Sequence, residues 1–425
     1  MQGKVYTHYK DATVWDVDGW GARITFCLRF PRPVAREILP AADTGFRTVE
    51  HLNYSMVSIP KEAIFAAANQ YPMKKINFSA GPAILPASVI QQAAAAVTDH
   101  DNSGLSILEI SHRSKAFTQV LVEAESLVRE IMGVGDEYAV LFTSGGASTQ
   151  FFYTAMNLLN PEETAGFLDT GAWSAKAIKE TKLFGKVNVF ASSKESNYDH
   201  IPQGYTVPEG MKYVHVTSNN TIFGTQLHAW PETSAPLVAD MSSDIFSRRI
   251  PLEKFGIIYA GAQKNLGPAG ATLVIVRKDL LGTVERALPS MLDYRVQIKG
   301  GSTYNTPPVY PIYVMMLTLR WIKEQGGLQA MEEHNEKKAK LLYDEIDRNP
   351  KFRGTVTDDF SRSLMNVTFV CTDDADTERF LAEATAAGCD GIKGHRSVGG
   401  FRASIYNSMP YAGVETLVEV MKNFK

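Results

Sequence analysis

The feature that most constrains the fold of this chain is a regular alternation of short β-rich runs with amphipathic stretches between residues 138 and 276. Helical periodicity is clearest at residues 148–159 and 172–183. The β-rich runs occupy residues 138–142, 166–169, 213–216, 237–239, 257–259 and 272–276. Strands that alternate with helices in this way usually pair into a mostly parallel sheet covered by helices. The sequence therefore predicts an α/β fold.

The two ends of the chain differ from this central region. A chain of 425 residues exceeds the roughly 250–300 residues over which a single core usually grows, so we expect at least two domains. Beyond residue 330 the pattern changes to a long charged helix, a strand at 365–370, a helix at 376–387 and a strand at 402–406, which predicts a smaller α+β domain. Residues 1–72 have no sustained helical or strand period, and we predict that they form an N-terminal extension.

Charge and cysteine content exclude several classes of function. Lys and Arg total 43 against 46 Asp and Glu, so a net charge of −3 provides no broad positive field for nucleic acid. The three cysteines, Cys27, Cys371 and Cys389, are too few and too scattered for a disulfide framework or a zinc cluster. No apolar run reaches the roughly 18 residues that a membrane span needs. We therefore expect a cytoplasmic protein with no metal site, no nucleic-acid partner and no membrane association.

Lys264 is the most informative single residue, because it stands among small residues in the stretch Ala260-Gly261-Ala262-Gln263-Lys264-Asn265 between two β-rich runs. Small neighbours let a flat ligand approach the backbone closely. An amine in such a place can form a Schiff base with an aldehyde. The alternative is a solvated loop lysine, which is the usual environment of this residue type.

Asp240 lies 24 residues before Lys264, at the end of the apolar run Leu237-Val238-Ala239. A carboxylate at the end of a strand can pair with the protonated nitrogen of a pyridine ring and keep that ring electron-withdrawing. The alternative is an Asp that caps the following turn. The presence of Lys264 favours the first interpretation.

Two further features suit a phosphorylated aromatic ligand. The turn Ser144-Gly145-Gly146-Ala147 follows a β-rich run and precedes a helical stretch, where free backbone N–H groups can bind a phosphate. Such turns are common, and most of them bind no anion. Trp173, at the start of the next helical stretch, can stack on an aromatic ring, although a tryptophan in the core is the alternative.

Cationic residues occur in two groups, His112-Arg113 and His395-Arg396 with Arg402. Arginine suits carboxylate and phosphate because its planar guanidinium can bind two oxygens at once. The three arginines indicate a substrate with more than one anionic group, and surface salt bridges are the alternative.

Taken together, these residues resemble the phosphoserine aminotransferase family, which belongs to the class V aminotransferases among the fold-type I pyridoxal-phosphate enzymes. The similarity runs from about Lys75 to Phe424. Its most specific blocks are Asn77-Phe78-Ser79-Ala80-Gly81-Pro82, Ser111-His112-Arg113, Ala260-Gly261-Ala262-Gln263-Lys264-Asn265, Asn305-Thr306-Pro307-Pro308 and Lys393-Gly394-His395-Arg396.

The resemblance implies a large cofactor-binding domain at residues 87–330 and a small domain made of residues 73–86 and 331–425. It implies that pyridoxal 5′-phosphate forms a Schiff base with Lys264, with Asp240 at the pyridine nitrogen and Trp173 stacked on the ring. The further cofactor contacts that it implies are Thr221 at the ring hydroxyl, Ala147, Ser148 and Gln263 at the phosphate, and Asn305 and Thr306 reaching that phosphate from the other subunit of a homodimer.

The resemblance also implies the reaction. An amino group passes from L-glutamate to 3-phosphooxypyruvate and gives O-phospho-L-serine and 2-oxoglutarate in serine biosynthesis, with a second role on 3-hydroxy-2-oxo-4-phosphobutanoate in pyridoxine biosynthesis. Arg113 is implied to bind the substrate carboxylate, and the residues implied near the anionic groups are His112, His395, Arg396 and Arg402.

One departure from the family pattern concerns the substrate. Many members carry Gly-Arg where this chain has Ala147-Ser148, so one positive charge near the phosphates is missing. The alternatives are another class V enzyme, such as an alanine–glyoxylate aminotransferase or a cysteine desulfurase, and a non-catalytic protein that kept the fold. A desulfurase needs a cysteine on a mobile loop, whereas Cys371 and Cys389 stand in helix-like or strand-like sequence.

Overall fold

The structure is a computed structural model that describes residues 12–19, 22–29 and 75–425. The chain divides into two compact units, Met1–Gln70 and Tyr71–Lys425. In the first unit, strands β1 (Ala12–Gly19) and β2 (Ala22–Arg29) pair antiparallel. Sequence reasoning missed this hairpin, although both strands are rich in β-branched and aromatic residues. The rest of the predicted extension lies outside the described residues.

The second unit contains the remaining helices and strands. Its helices are α1 (Ala87–Thr98), α2 (Lys115–Met132), α3 (Gly146–Leu158), α4 (Ala172–Thr181), α5 (Tyr294–Lys299), α6 (Val309–Glu324), α7 (Gly327–Arg348), α8 (Thr377–Ala386) and α9 (Tyr411–Asn423). Its strands are β3 (Ile76–Asn77), β4 (Tyr138–Thr143), β5 (Thr164–Asp169), β6 (Lys186–Ser192), β7 (Val214–Thr217), β8 (Asn219–Asn220), β9 (Thr225–Gln226), β10 (Leu237–Asp240), β11 (Phe255–Gly261), β12 (Thr272–Arg277), β13 (Phe352–Gly354), β14 (Asn366–Cys371), β15 (Cys389–Asp390) and β16 (Phe401–Ser404).

A seven-stranded sheet forms the centre of this unit, in the order β4-β12-β11-β10-β7-β5-β6. Neighbours from β11 to β6 pair in parallel, and β12 pairs antiparallel with β11 and with β4. Strands β7, β10 and β11 are buried along their whole length, as expected where helices cover both faces of a sheet. The predicted α/β fold with a mostly parallel sheet is confirmed. Strand β6 was missed, because this partly exposed edge strand has no continuous apolar run.

The strand directions bring several chain segments to one edge of the sheet. Strands β10 and β11 are parallel, so Asp240 at the end of β10 and the loop after Gly261 meet there. Strand β4 is antiparallel to β12, which is itself antiparallel to β11, so Thr143 at the end of β4 reaches the same edge. Ligands of open α/β sheets bind at this carboxyl edge.

A separate apolar core gathers the C-terminal elements. It combines residues of α7, α8 and α9 with the three-stranded sheet β13-β14-β16, and it includes Phe78 from the start of the unit. Strands β3 and β15 pair in parallel, with Ile76 opposite Cys389. The residues just before α1 therefore pack with the C-terminal part of the chain. Within the described parts of the chain, no helix is both long enough and apolar enough to cross a bilayer.

His215 in β7 is a buried titratable residue in the central sheet. Its Nε2 atom lies 2.7 Å from the Tyr259 hydroxyl, and its ring stacks on Phe167 with the centroids 4.9 Å apart. Burial lowers the pKa of His215 from 6.5 to about 3. The folded protein therefore holds this imidazole neutral.

This burial predicts a loss of stability in mild acid. The unfolded chain binds a proton at His215 near pH 6.5 that the folded chain does not bind until about pH 3. The contribution of the neutral His215 to the free energy of unfolding is therefore fully present above pH 6.5 and falls as the pH drops toward 3. Between pH 7 and pH 5, we expect the wild type to lose about 2 kcal/mol more unfolding free energy than His215→Phe, as measured by urea denaturation. Equal losses in the two proteins would contradict this prediction.

Candidate active site

Lys264 lies in the tight loop after β11, at the carboxyl edge of the sheet. Backbone N–H groups of Leu266 and Gly267 both donate to the carbonyl of Ala262 and close this loop. The half-buried Lys264 side chain brings its Nζ atom to 5.2 Å from the centroid of the Trp173 ring, in the first turn of α4. The amine thus faces an aromatic surface, which attracts its charged form.

The segment around Gly81 packs directly on this loop. A side chain added at Gly81 would place its Cβ 3.3 Å from Cγ of Lys264 and 3.5 Å from the carbonyl oxygen of Gln263. The Ala83 N–H donates to that same carbonyl at 2.9 Å. Glycine is favoured here by this close approach and by the φ angle of 154° at Gly81, and the contact restricts the position of Lys264.

Asp240 is the carboxylate of this site and is almost fully buried. Its Oδ1 atom accepts hydrogen bonds from the Ser242 N–H at 3.0 Å and from the Ser242 hydroxyl at 2.7 Å. The same hydroxyl accepts from the Gly261 N–H at 3.0 Å, so Ser242 links the ends of β10 and β11. Sequence reasoning did not single out Ser242, although its position two residues after a strand-ending Asp is typical of such a turn.

The electrostatics of Asp240 and Lys264 are linked. Burial raises the pKa of Asp240, and the positive charge of Lys264 opposes that rise. Burial lowers the pKa of Lys264, the Asp240 carboxylate opposes this effect, and the Arg402 guanidinium adds to it. A buried amine with a lowered pKa loses its proton more readily than the amine of a surface lysine. The neutral amine that results is the form that attacks a carbonyl.

Thr221 connects the aromatic and cationic parts of the site. Trp173 Nε1 donates to the Thr221 hydroxyl at 3.2 Å, and Arg402 Nη1 donates to the Thr221 carbonyl at 2.9 Å. Burial lowers the pKa of Arg402, and its buried Nε atom has no hydrogen-bond partner among the described residues. The Arg402 side chain therefore lies within a site that contains Trp173, Lys264 and Asp240.

His395 and Arg396 lie in the loop between β15 and β16. The Gly394 N–H donates to the Gly400 carbonyl at 2.8 Å and closes this loop. Burial lowers the pKa of His395, and the charges of Arg402, Arg396 and Lys176 lower it further. The predicted cations His395, Arg396 and Arg402 are therefore near enough to act on one another, and together they create a field that favours an anion.

The glycine turn before α3 has the geometry of an anion site. Gly145 and Gly146 have φ angles of 99° and 65°, and a side chain at Gly145 would collide with Thr149. Helix α3 begins at Gly146, so the N–H groups of its first turn, which includes Ala147 and Ser148, have no partner within the helix. This helix start can bind a phosphate at the same sheet edge as Lys264.

The other predicted residues lie in two further segments of the chain. Arg113 is exposed and His112 is half-buried, in the turn just before α2. Asn305 and Thr306 precede α6, and the Asn305 amide donates to the Thr306 carbonyl at 3.1 Å. A cavity of about 230 Å³ separates this segment from the glycine turn, and its lining includes Gly145, Thr149, Ser302 and Asn305. The roles assigned to these residues stay predictions.

The model of the family "Aminotransferase class-V" matches residues 76–417. A phosphoserine aminotransferase from Flavobacterium psychrophilum is 54% identical over 354 residues, which cover 83% of this chain and 99% of the relative.

Solved structures give the same assignment. The phosphoserine aminotransferase of Bacillus circulans subsp. alkalophilus is 47% identical with a TM-score of 0.80, and the match covers 83% of this chain and 99% of that one. The PLP-bound phosphoserine aminotransferase of Trichomonas vaginalis is 39% identical with a TM-score of 0.79, and the match covers 82% and 100% of the two chains. The chain belongs to the class-V aminotransferase family, and the predicted enzyme class is confirmed.

The link between Asp240 and Lys264 can be tested in the protein freed of cofactor. Because the Asp240 carboxylate raises the pKa of Lys264 against the effect of burial, Asp240→Asn should lower that pKa further. The measurement is the pH midpoint at which Lys264 reacts with an amine reagent, followed by peptide mass spectrometry. We expect a lower midpoint in Asp240→Asn and no change in Asp293→Asn, whose carboxylate pairs with Arg295. A midpoint that stays the same or rises in Asp240→Asn would show that the two groups do not interact.

Proposed function

We propose that this aminotransferase transfers the amino group of L-glutamate to 3-phosphooxypyruvate, giving O-phospho-L-serine and 2-oxoglutarate, with pyridoxal 5′-phosphate held by Lys264. The observation that carries the proposal is the Lys264 amine with its lowered pKa beside the buried Asp240 carboxylate, at the carboxyl edge of the sheet. The names of the relatives support the substrate.

The residues at this edge fit the cofactor. When bound, pyridoxal phosphate supplies an aldehyde that condenses with amines and a ring that withdraws electrons from the carbon next to the nitrogen. Asp240 suits the ring nitrogen, since its Oδ1 atom is held by Ser242 and its burial favours a partner that carries a proton or a positive charge. Trp173 supplies a ring face, and the first turn of α3 supplies N–H groups for the phosphate. The remaining proposed contacts are Thr221, Gln263, Ala147 and Ser148.

Lys264 would have a second task, as the group that moves a proton during the reaction. Its free amine accepts the proton from the substrate Cα and delivers it back on the way to product. A lowered pKa suits this work, because the amine must accept and release a proton near neutral pH. Asp240 would pair with the ring nitrogen of the cofactor, and the Trp173 ring, which lies near the Lys264 amine, would supply the surface on which the cofactor ring stacks.

The cations of the site suit substrates with two anionic groups. Glutamate carries two carboxylates, and phosphoserine carries a carboxylate and a phosphate. The Arg402 charge acts on Lys264, and the charges of Arg402 and Arg396 act on His395, so these three residues offer positive charge or donors to an anion. We propose that Arg113 and His112 add to them. Ser148 replaces the arginine of many relatives, so these groups carry the recognition of the phosphate.

A cysteine desulfurase is disfavoured by the described cysteines. Cys371 lies in β14 and Cys389 in β15, and both are buried. Burial raises the pKa of Cys371, and it raises that of Cys389 to about 11. A reactive thiolate needs an exposed thiol with a lowered pKa, which neither residue offers.

We further propose a cytoplasmic homodimer in which Asn305 and Thr306 reach the cofactor phosphate of the neighbouring subunit. The exposed Thr306 and the neighbouring Tyr304, which is 48% exposed, support a role for this segment outside its own subunit. A second substrate, 3-hydroxy-2-oxo-4-phosphobutanoate, has the same pairing of carboxylate and phosphate and belongs to the proposal, with a role in pyridoxine biosynthesis.

Removal of the Lys264 amine tests the mechanism. Lys264→Ala should fold, lose the absorbance band of lysine-bound cofactor and lose at least about a thousandfold in turnover, because one amine serves as both attachment point and proton carrier. The matched control is Lys176→Ala, whose amine lies 4.3 Å from the centroid of the same Trp173 ring. We expect that control to keep both the band and the turnover number. Normal turnover in Lys264→Ala would refute the mechanism.

Substrate charge tests the proposed substrate class. A cation that is removed from water and left without its anion is costly, and each 1.4 kcal/mol changes selectivity about tenfold. We expect kcat/KM for phosphoserine to exceed that for serine or alanine by roughly a hundredfold or more. Arg402→Met should reduce this preference. Similar values of kcat/KM for all three amino acids would favour an alanine–glyoxylate type of enzyme.

A further inference from the structure

Helix α7 presents two buried polar side chains to the segment that follows β16. Asn335 and Lys338 are three residues apart, so they lie on the same face of the helix. The fully buried Lys338 donates from Nζ to the carbonyls of Ile405 and Tyr406, at 2.8 and 2.6 Å. The Asn335 amide donates to Oδ1 of Asn407 at 2.8 Å. One face of α7 therefore binds three successive residues of the chain.

Asn407 connects these hydrogen bonds of α7 to the active site. Its backbone N–H donates to Oδ1 of Asn265, the residue after Lys264, at 3.0 Å. Its side-chain amide donates to the carbonyl of Phe246 at 2.9 Å. Phe246 belongs to the segment that begins with Asp240. A single buried asparagine thus contacts the two segments that carry the paired amine and carboxylate.

The Phe246 segment needs such a contact. Phe246 is buried and has a φ angle of 57°, a left-handed conformation that a bulky residue rarely adopts. Such a conformation persists only where surrounding contacts hold it. The Asn265 amide donates to the carbonyl of the preceding Ile245 at 2.6 Å, which adds a second contact between the two segments.

We propose that Asn407, held by Asn335 and Lys338, is a positioning residue that fixes the Lys264 loop against the segment that follows Asp240. It touches neither cofactor nor substrate in this scheme and acts through Asn265 and Phe246. The proposal rests on the proposed function of Lys264 as the reacting amine. A network of buried, satisfied hydrogen bonds suits this task, because it specifies one arrangement of the segments.

Loss of the network should alter the surroundings of Lys264. The charged groups that act on this amine are Asp240, Asp244 and Arg402, and burial is the largest effect on its pKa. Asp244 is itself buried and accepts from Ser218 and from Gln226. A looser loop admits water to Lys264, which weakens the effect of burial and raises its pKa. This direction is opposite to that expected for Asp240→Asn.

The test compares Asn407→Ala and Asn335→Ala with a matched control, Asn349→Ala. Asn349 follows the same helix and donates to Glu345 Oε1 and to the Met421 carbonyl, both at 2.9 Å, away from Lys264. Two quantities are measured. One is the pH midpoint for labelling of Lys264 by an amine reagent in cofactor-free protein, and the other is kcat and KM for glutamate in the holoenzyme.

Asn407→Ala keeps the backbone bond to Asn265 and loses the side-chain bonds to Phe246 and Asn335. We expect this loss to raise the labelling midpoint and to lower kcat about tenfold or more, with KM changed by less than about threefold. Asn335→Ala should give the same changes at a smaller size, because the bond from Asn407 to Phe246 remains. Asn349→Ala should lower the melting temperature alone. If Asn407→Ala does not fold, Asn335→Ala decides the matter.

The proposal is overturned if Asn407→Ala and Asn335→Ala behave like the control, with a lower melting temperature and an unchanged midpoint and kcat. The labelling measurement needs no substrate. A wild type that is inactive on phosphoserine would therefore refute the proposed substrate while the midpoints still test the role of Asn407.

Discussion

The opposition between burial and charge at Lys264 and Asp240 is the constraint on which the rest of the site depends. Water would keep the amine protonated and the carboxylate ionised without any help from the protein. Removal from water disfavours both charges, and each group partly restores the charge of the other. The protein thereby gains a lysine that gives up its proton more easily than a surface lysine and a carboxylate that favours a cationic partner. Both properties suit chemistry on an aldehyde attached to a pyridine ring.

The sheet makes this arrangement possible. Parallel pairing of β10 and β11 places the end of one strand beside the end of the next, and the Ser242 hydroxyl bonds to both ends. The second core, built from the C-terminal helices and Phe78, also holds Phe401 and Ala403 of strand β16. Arg402 lies in β16, and Asn407 lies three residues after the end of that strand. Both residues form hydrogen bonds with the site, Arg402 to the Thr221 carbonyl and Asn407 to Asn265.

Sequence reasoning could predict those parts of the structure that local patterns specify. The alternation of runs predicted the parallel sheet, and the small residues around Lys264 pointed to its loop, because both signals lie within short stretches of chain. Edge strand β6 lacked a continuous apolar run and was missed. The contacts of Asn407 with Asn265 and Phe246 join residues 142 and 161 positions apart, so no local pattern contains them. The roles of Asn305 and Thr306 come from family resemblance alone, that of Arg113 comes also from its residue type, and all three stay predictions.

We propose that Lys264 is the lysine that holds pyridoxal phosphate. The most direct measurement is reduction of the cofactor-loaded protein with borohydride, followed by proteolysis and mass mapping of the phosphopyridoxyl group. We expect one modified lysine per chain, Lys264, in the peptide that contains Gln263 and Asn265. A group attached to another lysine, or a protein that binds the cofactor without any covalent label after reduction, would contradict it.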